Sequence, residues 1–115
     1  METLADHLKA LSDPTRLRIT RLLCHGELCI CDLMAALDMP QSTISRHISY
    51  LKKSGWVRGR RSKKWVYYSL TEPEHPVQAK VLATLREALP AMQESRGDYA
   101  RLRRHLTAKL ASRCG

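Results

Sequence analysis

Leu4, Leu8 and Leu11 recur at helical spacing and predict a short first helix. Ser12-Asp13-Pro14 then opens a second: Asp13 can cap it, and Pro14 suits a first helical position. This helix runs to about Cys24 and ends at His25-Gly26. Leu28–Leu37 predicts a third, short helix, broken off by Asp38-Met39-Pro40. Gln41–Ser54 is a fourth, with Ile44, Ile48 and Leu51 on one face and Gly55 at its end. At about 100° per residue, its opposite face carries Ser42, Arg46, Ser49 and Lys53.

Two β-prone runs follow, about Trp56–Arg60 and Lys64–Leu70, around a basic tip of Arg61-Ser62-Lys63. They read as a hairpin, with Trp65, Tyr67 and Tyr68 packing it. A linker, Thr71–Pro76, leads to a long helix over Val77–Met92, striped by Val77, Val81, Leu85, Ala88 and Met92 and kinked or ended by Pro90. Residues 1–95 thus form one domain. Residues 96–115 form a basic tail, read as a weakly held helix from Tyr99, Leu102, Leu106 and Leu110.

Charge sharpens this picture. The 115 residues carry a net charge of +9, unevenly spread. Residues 1–40 hold four Lys/Arg against six Asp/Glu, residues 41–70 eight against none, and residues 71–115 eight against five. An acid-free block points to a polyanion. It coincides with a short helix, a tight turn, a helix with a polar outer face, and a basic hairpin. That order describes a winged helix-turn-helix, mainly α with a small β-hairpin, reading double-stranded DNA. Candidate DNA contacts are Gln41, Ser42, Thr43, Ser45, Arg46, His47, Ser49 and Lys53 on the reading helix. On the wing they are Arg58, Arg60, Arg61, Lys63 and Lys64. One such module reads a half-site, so a homodimer on a palindrome is expected. Its seam is assigned to Leu4, Leu8, Leu11, Val77, Val81, Leu85 and Met92.

No apolar run approaches the ~20 residues of a membrane span. METLADHLKAL lacks a basic segment followed by an apolar one, so a reducing cytoplasm is the expected setting. There the four cysteines, Cys24, Cys29, Cys31 and Cys114, read as thiols or ligands. In a regular helix Cys29 and Cys31 would point about 200° apart. They can grip one soft ion only where the backbone leaves the helix. The start of the third helix is such a place, and a helix N-terminus favours thiolate. Capture there would distort the support of the reading helix. The competing reading is that these thiols simply pack. Cys24, sharing a face with Leu17, fits packing best.

ELCICDL, followed by LDMPQSTISRHISYLKKSGWVRGRRSKKWVYYSL, resembles the ArsR/SmtB family of metal-responsive winged-helix repressors, and SDPTRLRI matches the family's opening. The resemblance covers roughly residues 3–92. ELC-x-CDL resembles the arsenic-responsive branch. This implies a homodimeric repressor of an arsenic-resistance operon that leaves DNA when trivalent arsenic or antimony binds cysteines in the third helix. The family pattern often has a third cysteine where this chain has Met34, a poor donor to arsenic. Two thiolates with a solvent or hydroxide ligand can suffice; otherwise Cys24 or Cys114 supplies the third sulfur. The zinc-responsive branch uses Asp/His pairs on the last helix, and only His75 and Glu87 stand there.

Other functions have less behind them. A phosphate-cradling C-x5-R loop, a C-x-x-C pair and a Gly-rich phosphate loop are all missing, so neither an enzyme nor a catalytic cofactor is expected. A cadmium or lead sensor and a thiol redox sensor of the same fold are the nearer alternatives.

Overall fold

The computed structural model describes residues 1–114, with side chains as far as residue 111. Along the chain come α1 (Glu2–Ala10), α2 (Pro14–Leu23), β1 (Leu28–Cys29), α3 (Ile30–Leu37), α4 (Gln41–Lys53), β2 (Val57–Ser62) and β3 (Trp65–Leu70). Then follow α5 (Pro76–Ala88), a 3₁₀ turn (Leu89–Ala91) and α6 (Gln93–Cys114). The mainly α fold with a small antiparallel sheet is the winged helix-turn-helix expected.

Local chemistry sets the boundaries. The Asp13 carboxylate accepts the Arg16 N–H at 3.0 Å, and Pro14 supplies the fixed φ of a first turn. Asp38 ends α3 in the left-handed region (φ 53°), which Asp tolerates better than most residues. Pro40 follows and α4 begins one residue later. Pro90 stops α5, because a ring in place of an N–H cannot continue the ladder. The expected single helix over 77–92 is therefore a helix, a 3₁₀ turn and an extended Met92.

Ile19, Leu22, Leu33, Ile44 and Leu51 from α2, α3 and α4 meet Leu28, Trp56 and Val57 in one core. Trp56 is fully buried and donates its indole N–H to the His7 carbonyl at 2.8 Å, tying α1 to the base of the hairpin. Leu102 of α6 is also fully buried there. Burying one such leucine contributes about 1.5–3 kcal/mol.

Three expectations need correction. The third helix starts at Ile30, not Leu28. Leu28 and Cys29 form a third strand, pairing antiparallel with β3 as Leu28↔Tyr68 and Cys29↔Tyr67. The hairpin strands run to Ser62 and from Trp65, so the tip is Lys63-Lys64, with Lys63 at φ 57°. The C-terminal segment is a long helix held against α2 and α3, and it begins at Gln93, so residue 95 falls inside an element. Asp98, fully buried, accepts from Arg18 of α2 at 2.8 and 2.9 Å and from Arg101 at 2.7 Å. Arg101 also donates to the Ala36 carbonyl of α3 at 2.7 Å.

Candidate functional site

α4 turns Ile44, His47, Ile48 and Leu51 inward and leaves Gln41, Ser42, Arg46, Ser49 and Lys53 in solvent, with Thr43 and Ser45 half-buried. His47 is the exception among the candidate DNA contacts. It is only 9% exposed and lies beneath the helix, 3.3 Å from the Arg16 guanidinium and 3.8 Å from the Asp13 carboxylate. Its position, three after Ile44 and four before Leu51, is on the apolar stripe. Burial holds its imidazole below the ordinary range, Arg16 and Arg46 add to that, and Asp13 opposes.

On the wing, Arg58, Arg61, Lys63 and Lys64 are exposed. Arg60 is exposed too, but its guanidinium forks onto Glu27 at 2.7 and 2.9 Å and lies 5.3 Å from the Tyr67 ring. Its charge is already partnered within the protein, which sets it apart from the other four.

Cys29 and Cys31 do not share one helix. Cys29 is the residue before α3, extended at φ −92°, ψ 172° and buried; Cys31 is inside the first turn and exposed. Both line one cavity of about 690 Å³. Ser62, Lys63, Trp65 and Tyr67 of the hairpin form one wall, and His105, Ala108 and Lys109 of α6 form another. Trp65 is 47% exposed at this cavity and does not pack the hairpin as expected.

Asp32 organises this corner. Its carboxylate accepts the Cys29 N–H at 3.0 Å, His105 Nε2 lies at 2.8 Å, and Lys109 Nζ donates at 3.1 Å. Burial works to raise the Asp32 pKa, but these hydrogen bonds outweigh it and hold the group below the usual carboxylate range. Burial pushes the Cys29 thiol up, and the Asp32 charge adds to that. The Asp32 backbone N–H and the Lys109 ammonium, 3.7 Å from Sγ, favour thiolate without prevailing. The helix N-terminus therefore does not make Cys29 an acidic thiol, contrary to expectation.

The third-ligand candidates fare differently. Cys24, half-buried at the end of α2 with its thiol pushed up by burial, does not line the cavity. The Cys114 side chain lies outside the described residues. Among the described residues, no three His, Cys, Asp or Glu side chains are grouped to hold a metal ion. The residues of α6 in this cavity were not anticipated. The signal was present, since His105 and Lys109 fall three and seven positions after the buried Leu102.

Of the residues assigned to a dimer seam, Leu8, Val77 and Met92 are exposed, while Leu4, Val81 and Leu85 are half-buried. Val77, Val81 and Leu85 line a shallow groove on α5. Leu11 is corrected: at 8% exposure it belongs to the chain's own core. No helix among the described residues is long and apolar enough to cross a membrane.

Residues 13–58 match the family described as bacterial regulatory protein, arsR family. The chain is 49% identical to the arsenic resistance transcriptional regulator ArsR2 of Pseudomonas putida over 66% of each chain. It is 50% identical to the arsenical resistance operon repressor of Escherichia coli over 62% of this chain and 61% of that one. It is 41% identical to a cadmium resistance regulatory protein CadC homolog of Staphylococcus aureus, over 69% of this chain and 65% of that one. The chain thus spans just under two thirds of the length of these relatives. Among solved structures, the transcriptional repressor BigR of Xylella fastidiosa superposes with a TM-score of 0.63 at 32% identity, covering 77% of this chain and 88% of that one. A homodimeric winged helix-turn-helix DNA-binding domain from Mycobacterium bovis gives 0.64 at 28% identity, covering 80% and 83%. With the helix-turn-helix, the wing and the paired thiols in place, the chain belongs to the ArsR family of winged helix-turn-helix transcriptional regulators.

Proposed function

We propose that this chain represses transcription as a homodimer on operator DNA and releases the duplex when trivalent arsenic or antimony is captured by Cys29 and Cys31. The observation that carries this reading is the opening of both thiols into one cavity from a strand-to-helix junction. The relatives named for arsenic resistance support it, and the homodimeric neighbour supports the dimer. The acid-free stretch 41–70 and the exposed Arg46, Arg61, Lys63 and Lys64 supply the duplex-facing charge.

Capture balances without redox change. Arsenous acid exchanges two As–O bonds for two As–S bonds, and the two thiol protons leave with the hydroxides as two waters. The third valence keeps a hydroxide, since Met34 is no thiolate donor. Soft thiolates suit this ion, and the cavity has room for it.

Fluorescence anisotropy of the reduced protein on its promoter duplex during arsenite titration tests the reading. Wild type should release DNA, while Cys29→Ser and Cys31→Ser should hold it through the same titration. Release by cadmium or lead but not arsenite would move the chain to a divalent-metal sensor. Release by peroxide alone would make it a redox sensor.

A further inference from the structure

We infer that inducer capture acts on DNA through the wing, and not through the reading helix. This rests on the reading that capture occurs at Cys29 and Cys31. Three observations point the same way. First, the strand holding Cys29 is part of the wing sheet: Cys29 stands opposite Tyr67 on β3, and Tyr67 stands opposite Arg60 on β2. Second, the Glu27–Arg60 fork spans the same sheet, joining the residue before β1 to the far strand at 2.7 Å. Third, one wall of the cavity over the thiols is the distal half of the hairpin, Ser62, Lys63, Trp65 and Tyr67.

Lys63 is thus at once a cavity wall and a candidate DNA contact. The reading helix α4 contributes no residue to the cavity. It packs against α3 in the core that holds Ile44 and Leu33, both fully buried, and a close-packed core resists small shifts. The hairpin has no such backing at its tip, where Arg61, Lys63, Lys64 and Trp65 are all exposed. An ion bonded to both thiols enters the space between hairpin and α6, and the less firmly held wall yields. Occupancy then re-aims the wing relative to α4, and the two can no longer engage one duplex together. Linkage makes the effect mutual: DNA that holds the wing in place must weaken inducer capture by the same factor.

The experiment is a coupling measurement on the full chain. Arsenite-induced loss of DNA affinity is measured for wild type, for Arg46→Ala on the reading helix, and for the wing variant Arg61→Ala/Lys64→Ala, whose two residues are exposed and do not line the cavity. Both variants should bind DNA more weakly. The fold-loss caused by arsenite should stay at the wild-type value in Arg46→Ala and fall towards one in the wing variant. A wing variant that keeps the wild-type fold-loss, or an Arg46→Ala that loses it, overturns the inference. Backbone amide hydrogen exchange, with and without arsenite and without DNA, keeps the question decidable if the wing variant binds too weakly. Amides of residues 57–70 should lose protection while those of 44–51 do not, and the reverse pattern overturns the inference. A wild-type protein that ignores arsenite fails at the earlier step, because it refutes the proposed function itself.

Discussion

Replacing Asp98 by alanine removes the fully buried anchor that ties α6 to α2. Its carboxylate is fully buried and receives three charge-assisted hydrogen bonds, two from Arg18 and one from Arg101, at 2.7–2.9 Å. Breaking one side of a buried ion pair typically costs about 3–5 kcal/mol, mostly because a charge is left unpaired. Here the stranded charges are guanidiniums whose side chains are 25% and 36% exposed, so water can take over part of their solvation. That places the expected loss lower, at about 2–3 kcal/mol. Unfolding entropy of about 2.1 cal/mol/K per residue gives ~0.24 kcal/mol/K for this 115-residue chain, hence a drop in Tm of about 8–12 °C. Urea titration followed by circular dichroism measures the free energy, and a thermal scan checks the temperature. Asp98→Asn keeps shape and one acceptor and should cost about half as much. An Asp98→Ala chain within about 0.5 kcal/mol of wild type would refute the reasoning, since it would mean that Leu102 and the contacts of Arg101, His105 and Lys109 with α3 hold α6 without Asp98.

Other sites give separable outcomes. Arg46→Ala should weaken operator binding by about 1–3 kcal/mol and relax preference at one base pair, whereas Lys64→Ala should weaken binding to all duplexes and lower the salt slope by about one, both read by anisotropy across a salt series. Val77→Asp places a charge on the exposed α5 stripe and should shift the sedimentation profile to monomer. Leu11→Ala should instead destabilise the fold by about 2–4 kcal/mol. His47 titrates below its ordinary value in the folded chain, so its contribution is present above about pH 6.5 and lost as pH falls through the folded pKa. Stability of wild type should therefore fall more steeply than that of His47→Gln between pH 7 and 5, and parallel curves would count against a buried neutral imidazole.

The periodicity of apolar residues exposed most of the helical order, because α2, α4 and the hairpin carry their own start and stop chemistry. It misled where polarity and position disagreed. His47 occupies the apolar stripe of α4, yet its polarity suggested the DNA face. Leu11 has the spacing of the α1 stripe, yet the chain leaves the helix there and turns the side chain into the core. The strand at Leu28–Cys29 was illegible because two residues give no alternation to read; only its pairing with Tyr67 and Tyr68 defines it. The hold on α6 was equally hidden. Arg18 and Asp98 lie 80 positions apart, as do Cys29 and Lys109, and no local spacing reports such pairs.

The thiol pair shows why the missing pieces matter together. In an unbroken strand Cys29 and Cys31 would share a face, roughly 6.5–7 Å apart along it; in an unbroken helix they would diverge by about 200°. The junction between β1 and α3 lets an extended Cys29 and a helical Cys31 open onto the same space. The residue that makes this junction possible is Asp32, which holds the Cys29 N–H with one oxygen and meets His105 and Lys109 with the other. Any ligand that pulls on the Cys29 backbone therefore works against the same carboxylate that ties α6 down. On one side of Cys29 lies the wing sheet, on the other the start of α3, and above it α6. The exposed hairpin tip is the least firmly held of these, so on the proposed reading two sulfur bonds at Cys29 and Cys31 re-aim the wing before they disturb α3 or α6.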